Sequence, residues 1–136
     1  EKFFTLGTSP KNPLDVSAQI YYSQSIYDII DLALKDDKID GLIMDLPAWY
    51  FNPDYHIKKD FKFEDKMIEA MSLGHKYNKV IFPIIQTADN PEHKERIFQK
   101  LKQKKVPVFN DPIEFIPILQ KVAKFYLNRK KENYNN

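Results

Sequence analysis

The side chains best suited to chemistry fall in segments that follow short apolar runs. Asn12 and Asp15 lie near the start of the chain, Pro47 and His56 bound one such segment, and Thr87 stands in another. Amide, carboxylate, imidazole and hydroxyl groups can hold a polar ligand through hydrogen bonds. We therefore take these five residues as binding candidates and assign no catalytic residue among them. Asn12 and Asp15 have a second interpretation, because short polar side chains beside a proline also stabilise turns through local backbone bonds.

The three histidines differ in their surroundings. His75 and His93 stand in helical patterns among charged residues, which is typical of a solvated surface, whereas His56 lies in a loop and is the best binding candidate of the three. No two histidines share ligand spacing with a carboxylate, and the chain has no cysteine. The sequence therefore predicts no metal site.

Four aromatic residues are concentrated in one loop: Trp49, Tyr50, Phe51 and Tyr55. Such a cluster at the surface favours contact with another domain, a partner or an acyl chain. The alternative is that these side chains fold back over the core, and the sequence leaves both interpretations open.

The elements that must position these residues alternate between strands and helices. Short apolar runs without alternation indicate strands covered on both faces, at 41–46, 79–85 and 105–109. Apolar residues at helical spacing predict helices over 25–35, 63–77 and 91–104. A last helix is expected from the Asp111 cap, with Pro112 in its first turn and Pro117 as a potential kink.

This order predicts an α/β fold with a doubly wound parallel sheet between two helical layers, most simply flavodoxin-like. Ligands meet such folds at the carboxyl ends of the strands, which is why the loops named above are the candidates. Nothing before Thr8 matches an opening strand and helix, so we expect a fragment that lacks them. Residues 1–128 are expected to form one domain and 129–136 a frayed tail.

Composition limits the partners. The 136 residues carry a net charge of only +2, which does not suggest a nucleic-acid partner, and no apolar run approaches the length of a membrane span. A cytoplasmic location is the default expectation.

The string Lys11-Asn-Pro-Leu-Asp-Val16, the helix ending near Lys35 and the Asp36-Asp-Lys-Ile-Asp-Gly turn before an apolar strand form an ordered pattern. So do the later Val106-Pro-Val-Phe109 and Asp111-Pro-Ile-Glu114. From residue 9 to about 127 the chain resembles the carboxy-terminal flavodoxin-like domain of NDP-forming acyl-CoA synthetases. It is similar also to the end of the succinyl-CoA synthetase beta subunit.

The resemblance implies a parent acid–CoA ligase that uses CoA and ATP or ADP with Mg²⁺, and CoA-binding and ATP-grasp domains as partners. This domain would help to close a phosphohistidine site and would be inactive alone. One departure is the loop Pro47–Pro53, which has bulky aromatics where succinyl-CoA synthetases have a Gly-Gly pair that lets backbone approach phosphate.

Two alternatives come from other classes. A receiver-like domain would use Asp45 as phosphoacceptor and Thr87 as switch, although the sequence shows no acidic pair to hold Mg²⁺ before the first helical pattern. A non-catalytic interaction module could keep the same fold, and a homodimer is compatible with an uncovered sheet flank.

Overall fold

The computed structural model describes residues 13–14, 25–52, 54, 62–86 and 91–134. Asn12, Asp15, Tyr55, His56 and Thr87 lie outside these ranges. The expectations for these five residues therefore remain predictions.

The described residues form a mixed α/β structure. The helices are α1 (Ser25–Lys35), α2 (Phe63–Met71), the short α3 (Gly74–Tyr77), α4 (Pro91–Gln103) and α5 (Pro112–Tyr134). The strands are β1 (Gly41–Pro47) and β2 (Val80–Gln86), and a 3-10 turn at Ala48–Phe51 follows β1. The alternation of helices and strands predicted from the sequence is confirmed in this part of the chain.

β1 and β2 are parallel neighbours, with Gly41 opposite Val80 and Pro47 opposite Gln86. Both strands therefore end at the same edge of the sheet. Gly41 is required by this close pairing, because a Cβ there would lie 2.6 Å from the carbonyl oxygen of Val80.

Two apolar clusters lie on opposite faces of β2, since successive side chains of a strand point to opposite sides. Ile81 and Ile85 belong to the larger cluster with residues of α1, α2 and α4. Phe82 and Ile84 join Phe109 and α5 residue Phe115 in the smaller one. β2 is thus covered on both faces, as its unbroken apolar sequence predicts.

The third predicted strand is reduced to one bridge, between Ile84 and Phe109. Phe109 N–H donates to the Pro83 carbonyl at 3.0 Å, and Ile85 N–H donates to the Phe109 carbonyl at 2.9 Å. The next rung would need N–H groups at residues 83 and 107, and both are prolines. The prediction of a strand over 105–109 is therefore wrong for the described residues, because that rung has neither donor.

The helix predicted over 63–77 is interrupted after Met71. Leu73 N–H donates to Ala70 and Lys76 N–H donates to Leu73, bonds of the tighter 3-10 type. Asn78 then ends α3 in the left-handed region, at φ 51°. This ending turns the chain into β2.

The last helix runs past the boundary expected from the sequence. α5 continues through Pro117 and beyond Asn128 to Tyr134, whereas the sequence places the start of a tail at residue 129. Residues 129–132 are Arg-Lys-Lys-Glu, all good helix formers, so the backbone can continue as a helix although this stretch contains no apolar residue. None of the helices in the described ranges is long and apolar enough to cross a membrane.

Candidate functional site

The carboxyl ends of β1 and β2 bring Asp45 and Gln86 together. Nε2 of Gln86 donates to Oδ1 of Asp45 at 2.8 Å. Asp45 is exposed and Gln86 is half-buried. The pair presents a carboxylate and an amide at the edge where parallel α/β sheets bind ligands. From the sequence, Asp45 is a candidate only for the receiver alternative, and Gln86 only begins a carboxyl-end segment without being chosen as a binding residue.

The start of α5 lies directly after the bridge residue Phe109. Asp111 caps the helix, because its Oδ1 accepts the Glu114 N–H at 2.8 Å. Oε2 of Glu114 in turn accepts the backbone N–H and the side-chain amide of Asn110, at 2.9 and 2.8 Å. This confirms the cap predicted from the sequence. Two carboxylates thus occupy the electropositive helix end, which makes it unfavourable for a phosphate.

The turn after β1 places the aromatic residues at different depths. Pro47 ends β1 and is half-buried. Phe51 is only 1% exposed and packs on Phe63 of α2 with ring centroids 5.9 Å apart. Its side chain therefore belongs to the core and does not form a surface contact, which corrects its place among the interface candidates. Trp49 and Tyr50 are half-buried, and their rings are in contact with centroids 4.0 Å apart and planes tilted by 38°.

Arg96 of α4 holds this turn in place. Its Nη2 donates to the Phe51 carbonyl at 3.3 Å and to Oε2 of Glu64 at 2.6 Å, and its Nε donates to the same carboxylate at 2.9 Å. Lys100 adds a second cation, 2.7 Å from Glu64 Oε1. Arg96 therefore joins α4, α2 and the backbone at the end of the turn.

These contacts set the charge state of Glu64. Burial opposes ionisation of this carboxyl, but the hydrogen bonds from Arg96 and Lys100 outweigh burial, so the pKa of Glu64 lies below its usual value. The hydrogen bond of Glu64, and then that of Asp65, raises the pKa of Lys100. The cluster is a fixed ion-pair network.

A second network joins α1 to α3 at Asp31. Its carboxylate accepts bonds from the Lys35 ammonium at 2.5 Å, the Tyr77 hydroxyl at 2.5 Å and the Lys76 ammonium at 3.0 Å. These donors, Lys35 foremost, hold the pKa of Asp31 well below its usual range. All its charges are paired within the fold, so we assign it a structural role.

The two histidines within the described residues each have a partner. Nε2 of His75 lies 2.8 Å from the Lys104 carbonyl and, because a carbonyl only accepts, must carry the proton. Nδ1 of His93 accepts from Nη1 of Arg96 at 3.0 Å. His75 is exposed, as the sequence predicts, whereas His93 is half-buried, and each ring also has a hydrogen-bond partner.

Among the described residues, no group of three or more histidine or carboxylate side chains is arranged so that it could hold a metal ion. The described part of the carboxyl edge can therefore bind through Asp45 and Gln86, but it offers no nucleophile beside a base.

Comparison with known proteins adds no relative: no family model, curated protein or solved structure matches this chain.

Proposed function

We propose that the chain is a flavodoxin-like domain of an NDP-forming acyl-CoA synthetase, and that it helps to close a phosphohistidine site without being catalytic alone. The order of the elements supports this proposal. α1, β1, α2, β2, α4, the Phe109 bridge and α5 follow one another as the resemblance implies, with β1 and β2 parallel. The cap at Asp111-Pro-Ile-Glu114, one of the strings that carry the resemblance, begins α5.

The observation that carries the assisting role is the Asp45–Gln86 pair at the carboxyl edge. These side chains can position a neighbouring polar group, because the single hydrogen bond between them orients both and leaves acceptor sites on Asp45 and a donor and acceptor on Gln86 for a ligand. The turn that follows is packed through Phe51 and bonded to Arg96, and residues 47–53 contain no glycine that would let the backbone wrap phosphate. Chemistry and cofactors, CoA and ATP or ADP with Mg²⁺, would then belong to CoA-binding and ATP-grasp domains.

The test is reconstitution of the parent enzyme. Formation of ATP from acyl-CoA, ADP, phosphate and Mg²⁺ is measured in three mixtures: the 136-residue chain alone, the remaining domains of the same parent protein without it, and the chain together with those domains. We expect ATP only in the complete mixture. Turnover by the chain alone, or equal turnover without it, would overturn the proposed role.

A further inference from the structure

Within the described residues, β1 is covered on one face only. Leu42, Met44 and Leu46 point into the larger cluster, whereas Ile43 on the opposite face is 56% exposed and Asp45 is exposed as well. On that same face, Phe82 of β2 is buried in the smaller apolar cluster with Phe115. The cover provided by α5 therefore stops between the two strands.

The uncovered part of β1 forms one wall of a groove of about 840 Å³, and α5 forms the other. Ile43 and Phe82 lie on the sheet side, and Val122, Ala123 and Leu127 lie on the α5 side. Leu127 is 61% exposed. The groove is thus an open channel along α5, with apolar walls and polar residues at its rim.

The geometry indicates what kind of element fits there. Parallel strands are normally covered on both faces, and the covering elements are helices. A helix beside α5 would cover Ile43, and the small side chains of Val122 and Ala123 allow axes to approach within about 8–10 Å. A helix in this groove would lie beside α5 and would extend the α5 layer over β1.

Charged residues at the rim of the groove indicate which charge the partner helix would carry. Lys79 and Lys105 line the groove against a single aspartate, Asp40. Lys79 donates to the carbonyls of Leu34 and Asp36, while Lys105 is exposed at the rim. An approaching helix with acidic flanks would meet complementary charge.

We propose that the groove between β1 and α5 binds an acidic amphipathic helix of a partner polypeptide, which places apolar residues on Ile43 and Leu127 and carboxylates beside Lys105. The groove lies along the amino-terminal halves of β1 and β2 and its lining does not include Asp45 or Gln86, so this inference stands whether or not the parent protein is an acyl-CoA synthetase.

The probe is a synthetic helical peptide with leucines at i, i+3, i+4 and i+7 and glutamates on its flanks, labelled for fluorescence anisotropy. A peptide of the same composition in scrambled order is the ligand control. Ile43→Glu should weaken binding of the helical peptide at least tenfold, and Lys105→Gln should weaken it severalfold and reduce its salt dependence. The matched control is Leu32→Glu, which adds the same charge at a residue that is 62% exposed on α1. It should change binding less than twofold.

Circular dichroism first establishes that each variant is folded. Equal binding of the scrambled peptide, absence of binding to the unaltered chain, or equal weakening by Leu32→Glu would each overturn the proposal. Light scattering tests the remaining possibility, that a second copy of the chain fills the groove. A dimer that Ile43→Glu dissociates would show this and would also overturn the proposal.

Discussion

Pro83 and Pro107 stand where one rung of a parallel ladder would need two donors, and neither proline has an N–H. The Phe109 bridge therefore ends at these residues, because the backbone bonds it makes with Pro83 and Ile85 have no successor in the direction of residue 107. The register places both prolines in the same rung of the ladder. If only one of the two residues were proline, the N–H of the other could still form one of the two bonds.

Pro107→Val tests this relationship directly. The new N–H should bond to the Ile81 carbonyl and so exchange with solvent slowly, as measured by amide hydrogen exchange. Stability should change little, because a net gain of about 1 kcal/mol from the bond is offset by loss of the proline's restraint on the unfolded chain. Pro112→Val is the control, because an N–H at the first position of α5 has no helical partner and should exchange quickly. Fast exchange of the N–H introduced at position 107 would contradict the assigned register.

Lys105 ends α4 at a position suited to glycine. It has φ 57°, its N–H donates to Lys102 at 2.9 Å, and Val106 N–H donates to Leu101 at 3.0 Å, which together form a Schellman ending. Lys105→Gly should therefore raise the free energy of unfolding by roughly 0.5–1 kcal/mol, since glycine adopts this conformation without steric cost. Urea denaturation measures the change.

Lys102→Gly serves as the opposite case within α4. Glycine inside a helix should lower stability by about 1 kcal/mol. If both glycine variants shifted stability in the same direction, the left-handed conformation at Lys105 would not be the cause.

Much of the fold was predictable because its signals are local. The α1 boundaries follow from one apolar stripe, Ser25–Lys35, and the α5 cap follows from Asp111, Pro112 and Glu114 in sequence. The failure at residues 105–109 has a different origin. An apolar run indicates a strand, but whether it pairs depends on which residues of β2 face it, and register is not visible in either segment alone.

The candidate site was less predictable for a related reason. The sequence leaves open whether Phe51 lies at the surface or folds back over the core, because its burial depends on Phe63, a residue of the next helix. The Arg96 bonds to Glu64 and Phe51 likewise join segments 32 and 45 positions apart. Gln86 becomes a binding candidate only because the parallel register of β1 and β2 places it within hydrogen-bond distance of Asp45.

Gly74 allows α3 to pack against the start of β2. A Cβ at this position would collide with the carbonyl oxygen of Lys79, a backbone atom that cannot move independently of the strand. Gly74→Ala should lower the free energy of unfolding by roughly 1–3 kcal/mol, despite alanine's better helix propensity. Thermal or urea denaturation measures the loss, and Glu69→Ala, at an exposed position of α2, should be nearly neutral. A stabilised Gly74→Ala variant would mean that α3 packs less closely than the structure shows.

Arg96→Met should lower the free energy of unfolding by about 1–2 kcal/mol at neutral pH, because it removes charge-assisted bonds to a half-buried carboxylate. The loss should depend on pH in a defined direction. The pKa of Glu64 is lower in the folded protein than its ordinary value, so its ion pairs contribute fully above the unfolded pKa of about 4.3 and are lost as pH falls through the folded pKa.

The difference in the free energy of unfolding between the unaltered protein and Arg96→Met should accordingly be constant above about pH 5–6. It should shrink as the pH falls below the unfolded pKa of Glu64. Asp31 and Asp65 also have lowered pKa values, but they are present in both proteins, so their contributions cancel in the difference. Urea denaturation at a series of pH values measures this difference in unfolding free energy. Lys102→Met, on the exposed side of α4, is the charge-matched control. A pH-independent loss would show that Arg96 acts through packing and its bond to the Phe51 carbonyl, rather than through the ionised Glu64.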